Sequence, residues 1–511
     1  MQYYSKIHAK LIKYIFTYRI IFSLTGPKVT KLINSIKISN KGETKMFDIS
    51  KFIEQTSNFL YTYILIGLLV VLGLYFTIKT NFVQFRYFKE MFRVMVDGGT
   101  QKDGKGHVSS FQAFCISTAS RVGTGNLAGI AIAISVGGPG AIFWMWLIAL
   151  IGAASSFIES TLAQIYKQKD ENGAFIGGPA YYIEKGLGKK WMGILFSILI
   201  TISFGLIFNS VQSNTISIAI NEAFGVSQLS VGIVLMIFTL IIIIGGVQRV
   251  AKVSGIIVPV MALLYMLVSL FVVVKNITEV PRIIALIFEN AFGVRQTVAG
   301  SLGGVILVGI KRGLFSNEAG MGSAPNAAAT ADVSHPVKQG LIQTLAVFND
   351  TLIICSCTAF IILLSDIDLT GELTGIQLTQ NALTSQIGNF GNTFIALCIL
   401  LFAFSSIIGN YYYGESNIEF LTNNKLYINI YRVCVAAMVL FGSVASLDIV
   451  WNLADIFMAI MAIINLIAIT LLGKFAFRAL DDYREQKKAG IKDPVFKASS
   501  IEEFKNLELW K

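Results

Sequence analysis

Charge is what this chain has least of: only 14% of its 511 residues are Asp, Glu, Lys or Arg, against about a quarter in ordinary soluble domains. With 54% hydrophobic residues and a mean hydropathy of +0.67, an ordinary soluble domain is excluded. Cysteine is scarce too: Cys115, Cys355, Cys357, Cys398 and Cys434 fall inside or at the ends of apolar segments, so no disulfide framework is expected. The three histidines, His8, His107 and His335, lack metal-ligand spacing, which leaves zinc or haem little to bind and predicts no cofactor. No GxxxxGK[ST] phosphate loop is present, so an ATP-driven pump is excluded. Carboxylates inside the apolar segments are counted as Glu159 and Glu318, too few for a membrane enzyme.

What is abundant is apolar sequence. Stretches near 57–78, 110–136, 140–166, 191–221, 228–246, 253–274, 297–330, 340–364, 393–413, 432–446 and 449–473 approach or exceed the roughly 20 residues that a helix needs to cross a bilayer. They predict an all-α polytopic membrane protein of eleven transmembrane helices. The 297–330 stretch is too long for one straight helix and must be broken or partly outside lipid.

The net charge of +11 suggests nucleic acid until it is divided. Residues 1–45 carry nine Lys/Arg against one acid, Glu43, or +8 of the total, and the rest is near neutral, so no nucleic-acid partner is expected. Lys41-Gly42-Glu43 can be encoded by a purine-rich run resembling a ribosome-binding site ahead of Met46. Residues 1–45 are accordingly expected to be a basic extension, either untranslated leader or disordered. The 79–110 loop, with Lys79, Arg86, Lys89, Arg93, Lys102 and Lys105, the lysines of 166–190 and the basic tail after 473 belong in the cytoplasm. The 365–391 loop, with Asp366, Asp368 and Glu372 and no Lys or Arg, falls outside. The C-terminus is therefore expected inside.

After a first peripheral helix and cytoplasmic linker (46–109), ten spans divide into two fives, 110–275 and 276–473, with a cytoplasmic tail over 474–511. An odd repeat length forces inverted topology. Each half opens on a polar, glycine-interrupted segment: Ser117–Gly129, with Arg121, Gly123, Thr124, Gly125 and Asn126, and Gly309–Asn326, with Lys311, Arg312, Asn317, Glu318 and Gly320. Unpaired backbone survives in lipid only where it faces protein or a wet cavity, and paired breaks in matching positions point to a binding site. Half-helix N-termini suit a carboxylate, and unwound carbonyls a cation. Arg121 and Arg312 read either as gating or structural groups, pairing with Glu159, Glu318 or backbone carbonyls, or as direct substrate contacts. Asn209 and Gln212, three apart on one helix face, line the cavity or bond between helices. Ser405 and Ser406 place hard hydroxyl ligands in a span; with unwound carbonyls they could supply the about five oxygens that sodium wants, by extension from calcium, or bond back to their own helix.

Several segments also resemble one known family. Gly137–Gly152 (GGPGAIFWMWLIALIG) resembles the signature of the sodium:alanine (alanine or glycine:cation) symporters, and SRVGTGNLAG from Ser120, GGPAYYIEKGLG from Gly177 and RGLFSNEAGMGSAPNAAATA from Arg312 resemble the same family. The likeness covers about Met46 to Arg484. It implies a five-plus-five inverted repeat of the leucine-transporter (APC superfamily) type with one extra N-terminal helix. It also implies sodium-driven uptake of alanine or glycine across the bacterial plasma (inner) membrane, probed against two alternatives: a proton-coupled symporter of the same fold and a membrane amino-acid sensor. By the resemblance, Gly123, Thr124, Gly125 and Asn126 hold the substrate carboxylate, Asn317 and Gly320 complete the pocket, and sodium sits among Arg121, Thr124, Ser405 and Ser406. Asn410 stands where relatives carry a bulky Trp, which implies either that a larger or more polar amino acid is accepted or that a neighbouring aromatic such as Phe402 or Phe404 compensates. The partners expected are a small amino acid, sodium and the lipid bilayer, with the protein a monomer.

Overall fold

The computed structural model describes residues 49–96, 108–171, 173–244, 246–293, 302–369, 371, 373–500, 507, 509 and 510. The basic N-terminal extension lies outside them. Among the described residues eight helices are long and apolar enough to cross a membrane. These are α1 (Phe52–Lys79), α5 (Ala141–Ile165), α6 (Lys190–Phe224), α8 (Lys252–Lys275), α11 (Pro336–Leu363), α13 (Phe390–Leu421), α14 (Lys425–Val444) and α15 (Leu447–Lys488). The shorter helices include an amphipathic one, α2 (Phe88–Met95), connecting helices over Pro179–Leu187 and Val280–Ala291, and the pieces of two interrupted segments. The first comprises α3 (Ser110–Arg121) and α4 (Gly125–Gly137). The second comprises α9 (Leu302–Asn317) and α10 (Ala324–Ala329). A shorter apolar helix, α7 (Gln228–Ile243), precedes α8, and α12 (Gly375–Ile387) precedes α13. A two-stranded hairpin pairs β1 (Gln168–Lys169) with β2 (Phe175–Ile176). The 297–330 stretch is thus broken, with the interruption at residues 318–323.

The bundle carries its polar groups inside. Ile233, Val234, Ile237, Phe238 and Ile241 on α7 and Leu263, Leu264, Leu267, Leu270 and Phe271 on α8 are exposed, while Ser, Thr, Asn and Gln side chains of α3, α6, α11 and α13 are buried. A water-soluble protein would pay heavily for that exposed apolar surface; in hydrocarbon it faces a matching solvent. Small residues let helices approach closely inside. A Cβ built on Gly309 of α9 would lie 2.5 Å from the Ala141 carbonyl oxygen of α5, and one on Gly340 of α11 would lie 2.3 Å from Thr161 Oγ1 of α5. The helix α5 is thereby the post against which α9 and α11 stand.

Helix α2 is tied to the far end of α15. Arg93 donates to both oxygens of Glu90 at 2.9 and 2.7 Å, the Tyr483 hydroxyl donates to Oε1 at 2.5 Å, and Lys487 Nζ lies 3.1 Å from the same oxygen. Burial pushes the Glu90 carboxyl up, but the bonds from Arg93, Tyr483 and Lys487 outweigh it and hold it at about 2. A carboxyl whose folded value lies below its unfolded one adds stability that is complete above the unfolded value and lost as pH falls toward the folded one. Docking of α2 is therefore expected to weaken between the ordinary glutamate range and about pH 2. Thermal unfolding against pH checks this: Glu90→Gln should remove that acid-side slope.

Candidate functional site

Helix α3 opens on a capping box, in which Gln112 N–H donates to Ser109 Oγ at 3.2 Å and Ser109 N–H to Gln112 Oε1 at 2.9 Å. It ends when Val122 turns extended, at φ −82° and ψ 92°. Past that point the backbone bonds to side chains. Gly123 N–H donates to Asn126 Oδ1 at 2.9 Å and Thr124 N–H to Gln212 Oε1 of α6 at 2.9 Å. Asn126 Nδ2 donates to Asp350 Oδ1 of α11 at 2.7 Å. Asp350 also accepts from Ser316 Oγ of α9 at 2.8 Å and from Thr351 Oγ1 at 2.9 Å. Buried amides and carboxylates thus take over the bonds that the helix gives up.

The second break turns on three residues with left-handed backbone: Glu318 at φ +56°, Gly320 at +79° and Gly322 at +86°. For glutamate this conformation costs about 1–3 kcal/mol. It is held by Ser323 Oγ, which donates to Glu318 Oε2 at 2.5 Å, and by Ser120 Oγ of α3, 2.8 Å from Oε1. Glu159 of α5 cradles the turn, accepting from Gly320 N–H at 3.1 Å and Gly322 N–H at 3.0 Å. Asn465 of α15 donates to Glu159 Oε2 at 2.7 Å and to the Gly320 carbonyl at 2.9 Å, and itself accepts from Tyr182. The breaks face each other: a Cβ on Gly125 would lie 3.0 Å from Phe315 and 3.2 Å from the Ser316 Cα.

Helix α13 meets the first break through its hydroxyls. Ser406 Oγ lies 2.8 Å from the Ala119 carbonyl, 3.4 Å from that of Val122 and 3.1 Å from that of Phe402, toward which Ser405 Oγ also donates at 2.8 Å. Two hydroxyls and three carbonyls, five neutral oxygens, thus gather where α3 unwinds. One turn on, the Ser120 hydroxyl lies 2.7 Å from Asn410 Oδ1. A hydroxyl carries one proton, so when Ser120 donates to Glu318 the Asn410 amide must turn and donate Nδ2–H to Ser120. With Oδ1 toward Ser120, Asn410 Nδ2 has no partner among the described residues.

The other expected residues divide. Gln212 reaches the break, whereas Asn209 Nδ2 donates to the Gly205 carbonyl of its own helix at 2.9 Å. Asn317 Oδ1 accepts from Ala319 N–H at 3.0 Å, and its Nδ2, like Thr124 Oγ1, has no partner among the described residues. The Arg121 side chain turns from the Ser406 oxygens to α11 and α5, 3.4 Å from the Gln343 carbonyl, 3.3 Å from Gln343 Oε1 and 3.5 Å from Ser156 Oγ. Arg312 pairs with neither Glu159 nor Glu318: its Nη2 lies 2.7 and 2.6 Å from the oxygens of Asp455 on α15, and its guanidinium sits 4.5 Å above the Trp451 ring. Lys311 Nζ lies 3.7 Å from the same carboxylate and donates to Ser57 Oγ and Asn58 Oδ1 of α1, both at 2.9 Å. The count of two span carboxylates was therefore too low. Asp350 and Asp455 are as buried as Glu159 and Glu318, and an acid inside an apolar run is the signal that marks them.

Comparison with known proteins agrees in both sequence and fold. The family model described as Sodium:alanine symporter family matches residues 46–498. The chain is 59% identical over 454 residues to the amino-acid carrier protein AlsT of Bacillus subtilis (strain 168), a match covering 89% of this chain and 96% of that protein. It is 57% identical, again over 454 residues, to the probable sodium/glutamine symporter GlnT of the same organism, covering 89% of this chain and 94% of that protein. Among solved structures, MhsT in complex with L-phenylalanine superposes with a TM-score of 0.53 at 16% identity, covering 74% of this chain and 96% of that one. At that identity the likeness concerns the fold.

Proposed function

Because the chain belongs to the sodium:alanine symporter family, a family of multi-pass membrane transporters, we propose that it carries a neutral amino acid into the cell together with sodium. The observation that carries this reading is the set of five oxygens at Ser405, Ser406, Ala119, Val122 and Phe402. Hydroxyls and carbonyls are hard donors without formal charge, which suits a monovalent cation that must bind and leave. Three of the oxygens sit on α13 and two on the unwound end of α3, so a cation there holds together two elements that alternating access separates. A cation that binds one conformation better shifts the population toward it, which is how sodium couples to substrate.

In this reading the substrate carboxylate meets the Thr124–Asn126 turn, and Asn317 and Gly320 complete the pocket. Asn410, Ser120 and Glu318 face its side chain. Alanine fits the family's description, and glycine is smaller still. When Ser120 donates to Asn410 Oδ1, the unpartnered Asn410 Nδ2 is a donor and Glu318 Oε1, released by Ser120, an acceptor, together the complement of a carboxamide such as glutamine's, in keeping with the printed name of the GlnT relative. The two interrupted segments belong to inverted repeats over 110–275 and 276–473 behind one extra helix, with the C-terminus in the cytoplasm and the protein monomeric in the plasma membrane.

Ser406→Ala tests the cation site. Losing one of five ligands should raise the sodium concentration for half-maximal uptake about tenfold, or about 1.4 kcal/mol, while the fold stays intact. An unchanged sodium dependence would place the cation elsewhere.

A further inference from the structure

The chain beyond α15 does not leave the bundle. At Gly490, φ +82°, it turns back along the helix that it has just left, and Gln486 fixes the turn by accepting from Val495 N–H and donating to the Val495 carbonyl, both at 2.9 Å. It then docks on the segment that joins α10 to α11. Ser334 Oγ donates to the Pro494 carbonyl at 2.8 Å, and Phe496 N–H donates to the Ser334 carbonyl at 2.9 Å. Asp493 pairs with Lys338, and the Phe496 ring, 2% exposed, lies 5.2 Å from the buried His335 ring. Farther on, Ala498 N–H donates to the Trp510 carbonyl at 2.7 Å, and Trp510 Nε1 donates to the Gln164 carbonyl at 3.0 Å. Gln164 is in the last turn of α5, whose carbonyls have no partner inside the helix.

The opposite side of the same joining segment holds the start of α3. Ala331 forms a parallel bridge with Val108, and Asp332 N–H donates to the Val108 carbonyl at 3.0 Å, one residue before the Ser109 cap. Lys167 Nζ, 3.9 Å from the Phe175 centroid and 4.9 Å from that of Trp510, donates to the Ala331 carbonyl at 2.8 Å, and Gln164 Nε2 donates to the same oxygen at 3.0 Å. Residues 331–335 are therefore clasped between the foot of the first interrupted helix and the returning tail.

We propose that the returning tail, residues 491–500 together with Trp510, is a strap that holds the foot of α3 against the 331–335 segment, so that release of the strap is a step in opening the cytoplasmic side. This rests on the alternating-access reading above and its orientation. Among the described residues the strap makes no hydrogen bond or ion pair to the cation or substrate sites; it acts on the end of the element that has to move. Because Trp510, Phe496 and Asp493 each anchor on a different partner, the tail fastens α5, the joining segment and α11 together, and removing it strips the Ser334 and Lys338 contacts from the segment that Val108 meets, leaving it to Lys167, Gln164 and Asp482.

The test compares full-length protein with a chain ending at Gly490 and with the full-length double variant Phe496→Ala/Trp510→Ala, by hydrogen exchange in nanodiscs and by uptake in proteoliposomes. Both variants should exchange about tenfold faster over 108–112 and 331–338, with α13 and α14 unchanged, as expected of local opening. Sodium-driven uptake should rise about threefold if cytoplasmic opening limits the cycle. A synthetic 491–511 peptide added to the shortened protein should restore protection. Unchanged exchange in both windows, or faster exchange spread evenly over the protein, would overturn the strap. Exchange is read without transport, so loss of the strap and loss of the symport reading are separate results.

Discussion

Gly123→Ala is expected to lower sodium-driven uptake about a hundredfold, or about 2.7 kcal/mol, while the protein still assembles in the membrane. The reason is geometric. A Cβ at this position would lie 2.2 Å from Ser406 Oγ and 2.8 Å from Gln212 Oε1, both closer than real atoms approach. Relief must come from moving one of two groups that matter: Ser406 is the hydroxyl at the centre of the five oxygens, and Gln212 anchors the Thr124 amide. Inserting a methyl into a packed interior costs about 1–3 kcal/mol, which a large bundle survives. Whichever group moves, its contact with the break is not recovered. Uptake of labelled amino acid, with thermal unfolding as the control for assembly, reads both quantities, and wild-type transport by this variant would mean that the break is not the binding region.

Asp455→Asn should have the largest effect on stability, about 3–5 kcal/mol, the usual result of removing one partner from a buried ion pair. The carboxylate serves two buried cations at once, Arg312 at 2.6 Å and Lys311 at 3.7 Å. An amide of nearly the same shape leaves both uncompensated, although Lys311 keeps Ser57 and Asn58 and Arg312 keeps the Trp451 face. Since α1, α9 and α15 meet at this cluster, the loss should appear as a lower Tm of the purified protein. Adding Arg312→Met, which removes the cation left facing the amide, should recover part of it. If Asp455→Asn unfolds at the wild-type temperature, the cluster does not hold these helices together.

The two interrupted segments were legible because their sequence is anomalous locally. Glycine, arginine and asparagine crowded into 117–129 and 309–326 violate what lipid permits, and the excess length of 297–330 announces a break without any knowledge of the fold. Ser406 was legible for the same reason, as a hydroxyl pair in an apolar run. The partners of these residues were not. Arg312 finds Asp455, 143 residues away, and Ser120 finds Glu318 and Asn410, at separations of 198 and 290. Such pairings are set by how helices stack, which no local pattern encodes. Arg121 shows the converse: its place beside the glycines is evident, but its side chain crosses to Gln343 on a helix more than two hundred residues on. The carbonyls of Ala119, Val122 and Phe402 belong to residues of unremarkable type, so their gathering around Ser406 follows only from the geometry of the unwound turn.

The most direct measurement is uptake of labelled alanine, glycine and glutamine into proteoliposomes holding the purified protein, driven by an inward sodium gradient or by an equal potassium gradient at fixed pH. Accumulation with sodium and none with potassium is the predicted result, and the order of the three substrates reports what the Asn410 side of the pocket accepts. Uptake that is the same with either cation but follows an imposed pH gradient would contradict sodium coupling at Ser406 and move the coupling to the buried carboxylates Glu318 and Asp350.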